Sequence, residues 1–283
     1  MSRYLIINAD DFGMCHAANT AIFDLFEKGG ITSATVMTPC GWAPEALMFA
    51  GEHPEYAIGV HLTFTSEWKK YRWHPVSAGQ NESLRDESGY MHARCVTFEE
   101  KAKQQEVEAE IRAQIALAKY YGLEPSHLDN HMGSLCGLQG IQNFLPTVFK
   151  ICVEMDYPFR LPIKGKVPPV LENECEKIIG LVEKYDIPTP DYLWEHSFNG
   201  PQDESYENFR EYMMERFRDC PEGFVETYIH PSIESDELKN TTGLWHRRVW
   251  EYRFFADPDT RKYIEDLGIQ LINYRDLKKL KRK

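Results

Sequence analysis

Short apolar runs bounded by turn residues alternate, along nearly the whole chain, with longer stretches whose apolar residues recur at helical spacing. Residues 4–7, 34–38, 57–62, 127–129, 158–161, 191–194, 224–229 and 270–272 read as strands. Between them, 17–26, 43–50, 98–121, 139–155, 170–184, 206–218, 244–255 and 259–267 read as helices, 139–155 in spite of Pro146, and a basic helix closes the chain at Lys283. Strands that are apolar throughout must be covered on both faces, and seven or eight of them alternating with helices predict an α/β fold built as one parallel-stranded barrel. In such a barrel the chemistry sits on the loops at the C-terminal ends of the strands.

One segment breaks the rhythm. Residues 63–97 are too long for an ordinary barrel loop and carry Trp68, Tyr71, Trp73 and Tyr90 among polar residues. They are expected to form a lid or a substrate wall after the third strand, the alternative being an insertion packed on the outside. With no repeat and no linker, the whole of 1–283 is expected to be a single domain.

Composition removes several classes of function. Acidic residues outnumber basic ones by 44 to 32, for a formal charge of −12, which argues against a nucleic-acid partner. The seven cysteines are odd in number and contain no C-x-x-C pair, so neither a disulfide framework nor a zinc ribbon is expected. No apolar leader precedes the first strand and no apolar stretch is long enough to span a bilayer, so the expected location is the cytoplasm, without a membrane partner. A homodimer is the default assembly.

Four short stretches at strand ends concentrate carboxylates and imidazoles. Asp10 and Asp11 end the first strand, where successive side chains point in different directions; one can ligate a metal while its neighbour accepts a proton, although an Asp pair also serves as a helix cap. His61 ends the third strand, where a lone histidine is more often a satisfied structural residue than a ligand. His127, Asp129 and His131 are two residues apart, so an extended chain puts them on one face, while a turn at Asn130 would re-aim His131. Two imidazoles and a carboxylate suit a divalent ion such as Zn²⁺, Mn²⁺, Co²⁺ or Ni²⁺ and leave positions open for water and substrate. His230, before Pro231 at the end of an apolar strand, is a candidate acid or a buried turn histidine.

Together, Ile6-Ile7-Asn8-Ala9-Asp10-Asp11-Phe12-Gly13, Ile58-Gly59-Val60-His61-Leu62-Thr63, Pro125-Ser126-His127-Leu128-Asp129-Asn130-His131 and His230-Pro231 resemble the YdjC-like carbohydrate deacetylases, a family that includes chitooligosaccharide deacetylases. The resemblance runs from residue 3 to about 275. It implies an irregular (β/α) barrel of the polysaccharide-deacetylase-like type, a single catalytic domain, and removal of acetyl groups from N-acetylated sugars, so that the partner is a small N-acetylated oligosaccharide. It further implies Asp11, His61 and His131 as ligands of one divalent metal ion, Mg²⁺ or Zn²⁺, with Asp10 as general base and His230 as general acid. Arg160-Leu161-Pro162 is similar, more loosely, to the Arg-x-Pro segment that orients the base in the wider superfamily. Two positions depart from the family pattern: Met132-Gly133-Ser134 follows His131 where further histidines are usual, and Ser232 stands where glycine commonly follows His-Pro.

Two other readings use the same groups. A phosphoesterase or cyclic amidohydrolase would need bridging ligands for a second metal or a basic phosphate clamp, and neither is visible near the motifs. A non-catalytic sugar-binding protein would have lost the base or the acid, yet Asp10 and His230 are both present.

Overall fold

The computed structural model describes residues 2–164, 172–194 and 203–282. Its strands are β1 (Arg3–Phe12), β2 (Ser33–Val36), β3 (Ala57–Leu62), β4 (Leu128–Asn130), β5 (Tyr192–Trp194), β6 (Gly223–Ile229) and β7 (Ile269–Leu271). All pair in parallel, in the order β4-β3-β2-β1-β6-β5. β7 takes the free side of β1 at Arg3, Tyr4 and Leu5, before β2 begins to pair at Asn8.

The curled sheet is drawn together at its outer strands by single backbone hydrogen bonds. Leu128 N–H donates to Pro158 O and Arg160 N–H to Leu128 O, Phe159 N–H donates to Pro188 O, and Asp191 N–H donates to Phe224 O. The strand expected at 158–161 is thus reduced to one bridge at Phe159. Pro158 and Pro162 flank it, and Pro188 and Pro190 flank its neighbour; with no N–H to give, none of them can extend a ladder. The result is an irregular α/β barrel whose β2 and β3 are buried at every residue.

The helices follow the apolar spacing. α1 (His16–Lys28) turns Ala17, Ala18, Ala21, Ile22, Leu25 and Phe26 inward, and ends on Gly29 at φ 66°, a left-handed cap that glycine adopts without strain. α2 (Ala43–Glu52) packs on β2. The helix expected over 98–121 is two: α3 (Cys95–Lys101) and α4 (Gln104–Tyr120), separated by extended backbone at Ala102 and Lys103. The Gln142 side chain satisfies carbonyls at the break, donating to Glu99 O and Ala102 O. The helix expected over 139–155 starts late, as α5 (Leu145–Met155), with Pro146 in its first turn where a missing N–H costs nothing. Gln139 and Ile141 instead donate their backbone N–H groups to the buried Glu99 carboxylate.

Then come α6 (Glu172–Tyr185), α7 (Tyr206–Arg218), α8 (Asp236–Thr241), α9 (Trp245–Ala256), α10 (Pro258–Asp266) and α11 (Tyr274–Lys281). The start of the helix expected at 170–184 and the closing Lys283 lie outside the described residues. α8 was not expected; its apolar content is one buried Leu238, and Ser235 caps it.

β3 and β4 approach so closely that Gly59 has no room for a side chain: a Cβ there would lie 2.5 Å from His127 O and 2.7 Å from His127 Nδ1. Because the nearest clash is with backbone, Gly59→Ala is expected to destabilise the fold by about 1–3 kcal/mol, the usual cost of overpacking. A chemical denaturation midpoint equal to that of the unmodified protein would refute it.

Candidate active site

At the C-terminal end of β1 the strand does not stay regular. Its pairing with β2 slips between Ala9 and Phe12, and Asp11 adopts φ 60°. Regular alternation would have sent Asp10 and Asp11 to opposite faces, as expected from sequence. The irregularity instead turns both carboxylates toward His61, whose Nε2 is 3.9 Å from Asp10 Oδ2 and 3.7 Å from Asp11 Oδ1. A non-glycine residue in this backbone region is strained, and here the strain coincides with the convergence of the site.

His131 leaves β4 through a tight turn in which Met132 has φ 56°. Its Nδ1 lies 3.3 Å from His61 Nε2 and 3.5 Å from Asp11 Oδ1. Asp11, His61 and His131 therefore present one donor atom each within 4.8 Å of one another, all buried. His127 does not join them: it bonds to Ser126 Oγ, stacks on Tyr274 at 3.7 Å, and burial holds it well below its ordinary pKa.

Each imidazole has its other nitrogen pinned by a carboxylate. His61 Nδ1 donates to Asp129 at 2.7 Å, and His131 Nε2 to Glu67 at 3.1 Å. Asp129 is itself held by Thr35 Oγ1 at 2.8 Å and by Arg160 at 2.9 Å. Carboxylates placed behind histidines fix the tautomer and orient the free nitrogen, as around metal ligands. Meanwhile Asp11 Oδ1, facing both free nitrogens, has no hydrogen-bond partner among the described residues. A buried, unpaired carboxylate oxygen between two oriented imidazoles fits a divalent cation. The neighbouring group Asp10, His61 and Asp129 is also compact. It fits a cation less well, because Arg160 already bridges Asp10 and Asp129 and His61 Nδ1 is spent on Asp129.

Arg160, on the short segment after α5, grips Asp10 with both Nη atoms at 2.7 Å and Glu226 through Nε at 2.8 Å. Burial alone would raise the Asp10 carboxyl, but the Arg160 guanidinium and His61 bring it down to about 2. Asp11 likewise resists burial and lies well below the usual carboxylate range, held by Arg248 at 2.6 Å. His230 follows the last residue of β6, its backbone N–H donating to Glu251 at 2.7 Å. Burial pushes its imidazole down to about 4, against the pull of Asp11.

His131 shifts the other way: burial opposes it, but Glu67 and Asp11 raise it to about 10. Without a cation, a proton on His131 balances these carboxylates, and a metal ion held there would have to displace it. Apparent metal affinity is therefore expected to rise about tenfold per pH unit between pH 6 and 9, from this one proton. Calorimetry in buffers of different ionisation enthalpy should detect the released proton; a pH-independent affinity would contradict the assignment.

Sequence reasoning missed the roles of Glu67, Asp129, Glu226, Arg248 and Glu251. Asp129 lies inside a motif already singled out. Arg248 and Glu251 have no local signal, since they sit on a helix that carries none of the motifs.

The chain matches the YdjC-like protein family over residues 4–266. It belongs to that family. Among its relatives are carbohydrate deacetylases of Enterococcus faecalis, 29% identical with 98% of each chain covered, and of Thermus thermophilus, 29% identical over 93% of this chain and 90% of that one. The chitooligosaccharide deacetylase of Yersinia enterocolitica is 25% identical over 98% of this chain and 100% of that one. Among solved structures, an Enterococcus faecalis protein described as a candidate cellobiose-phosphate cleavage protein superposes with a TM-score of 0.78 at 28% identity, covering 98% of this chain and 99% of that one. As a member of the YdjC-like family the chain shares an α/β barrel architecture with that neighbour, and 98% of its length is aligned.

Proposed function

We propose that this YdjC-like protein is a metal-dependent deacetylase of small N-acetylated sugars, chitooligosaccharides in particular, built as one catalytic domain. Asp11, His61 and His131 would hold one divalent ion, Asp10 would be the general base, Arg160 its anchor and His230 the general acid. The observation that carries the reading is the unpaired Asp11 Oδ1 between two imidazoles, beside a carboxylate kept ionised by Arg160. The names of the relatives favour the same chemistry.

A divalent ion in that position supplies Lewis acidity toward an acetyl carbonyl and lowers the pKa of water beside it. Asp10, ionised at any working pH, accepts the proton of the attacking water. The tetrahedral adduct then collapses only if the leaving amine is protonated. At neutral pH His230 begins unprotonated, so the proton it donates would be the one taken from the attacking water, handed on from Asp10 while negative charge on the acetyl oxygen favours the imidazolium. Residues 63–97 serve in this reading as a wall of the substrate site, since Glu67 pairs with His131 and the Trp73 ring lies 6.3 Å from the His131 ring.

A phosphoesterase is disfavoured because Arg160 and Arg248, the arginines that reach Asp10 and Asp11 among the described residues, are already engaged by those carboxylates. The test is acetate release from diacetylchitobiose and longer N-acetylated oligomers by protein stripped of metal and then reloaded with Zn²⁺, Mg²⁺ or Co²⁺. Release that appears on reloading and disappears with chelator is expected. Tight sugar binding without acetate under every metal would replace the reading with a binding protein.

A further inference from the structure

Among the described residues, Arg248 is the group in contact with Asp11 that the proposed reaction leaves without a task. It rises from the first turn of α9, and its Nη2 donates to Asp11 Oδ2 at 2.6 Å. Its placement is well supported. Its own carbonyl accepts the N–H of Ser232 at 3.0 Å, and Glu251, one turn further along α9, accepts the N–H of His230 at 2.7 Å. The same helix thereby holds a carboxylate from β1 and the backbone of the His230-Pro231-Ser232 turn. The consequence for Asp11 is an asymmetry: Oδ2 is occupied, while Oδ1 faces His61 and His131 without a partner.

We propose that Arg248 is a positioning residue for Asp11, restricting the carboxylate to a single free oxygen so that it cannot spend both on the ion and crowd out water and acetyl oxygen. The proposal rests on the metal reading of the site given above. A catalytic metal site must keep positions open, and a carboxylate ligand is held in one binding mode by the groups bonded to its second oxygen. A guanidinium suits this task, because it stays charged and its geometry is fixed by the helix that carries it.

The test uses Co²⁺, whose visible spectrum reports coordination number, in the full-length protein and in Arg248→Met and Arg248→Lys. With Oδ2 released and a like charge removed, Arg248→Met is expected to bind Co²⁺ at least as tightly as the unmodified protein. Its visible absorption should nevertheless change, and acetate release from diacetylchitobiose should fall by about 10–100-fold. Arg248→Lys, which keeps the charge and one donor for Oδ2, should restore the original spectrum and most of the activity.

An unchanged spectrum in a folded Arg248→Met protein would overturn the proposal, as would weaker Co²⁺ binding, which would make Arg248 a support for the site as a whole. If Arg248→Met does not fold, an altered spectrum in Arg248→Lys overturns it equally. Failure of the underlying reading looks different: the unmodified protein would then bind no Co²⁺, or would bind it undiminished in His61→Ala.

Discussion

Asp10→Asn is expected to abolish nearly all acetate release, by about 10²–10⁴-fold, while leaving metal binding intact. The amide keeps the shape of the carboxylate but cannot accept a proton from water, and it offers Arg160 one acceptor oxygen where the native side chain offers two. Asp11→Asn is expected to act differently, lowering metal affinity, because the amide is a weaker ligand and brings an N–H donor into contact with Arg248 or with the imidazoles. Metal content after dialysis and acetate release separate the two. If both variants lose metal equally, the division between base and ligand is wrong.

His230→Ala is expected to cripple hydrolysis of an N-acetyl sugar by about 10²–10⁴-fold while barely slowing an activated acetate ester, because an amine leaves badly unless protonated and a phenolate does not. Equal losses on the two substrates would move His230 to substrate binding. The pH profile adds a separate check. An acid with the ordinary histidine pKa of about 6.5 would make kcat/KM fall through that value as pH rises. Burial holds His230 at about 4, so with proton transfer occurring within the reaction no basic limb is expected near pH 6.5. The proton on His131 acts in the opposite sense. Its loss on metal binding makes activity at subsaturating metal rise with pH, whereas saturating metal should remove that dependence.

The alternation of strand and helix was legible because periodicity is a local property. Continuous burial of β2, of β3 and of β1 from Leu5 onward, and the helical spacing of α1, each follow from a short window of residues. The candidate groups were legible for a related reason: residues at the ends of parallel strands converge in a barrel whatever the details, so Asp10, Asp11, His61, His127, Asp129, His131 and His230 could be gathered from their positions, while the choice among them rested on the family resemblance. Where local signals competed, tertiary contacts decided. Helical spacing continues from 98 to 121, but Gln142, far along the chain, satisfies the carbonyls that make a break at Ala102 tolerable. Pro146 is compatible with a helix on either side of it, and Glu99 settles the matter by drawing the backbone of 139–141 away.

Sequence by itself determined the order of the elements, the parallel barrel they demand, and the strand ends at which carboxylates and imidazoles gather. Only the tertiary structure decided how those groups face one another. The turn of Asp11 at φ 60° brings two neighbouring carboxylates to one histidine against the alternation of a strand. Asp129 and Glu67 orient the imidazoles, and Arg248, 237 positions from Asp11, occupies one of its oxygens. Such roles leave no trace in a local window, because a hydrogen bond depends on ångström placement between segments, and that placement exists only once the whole barrel has packed.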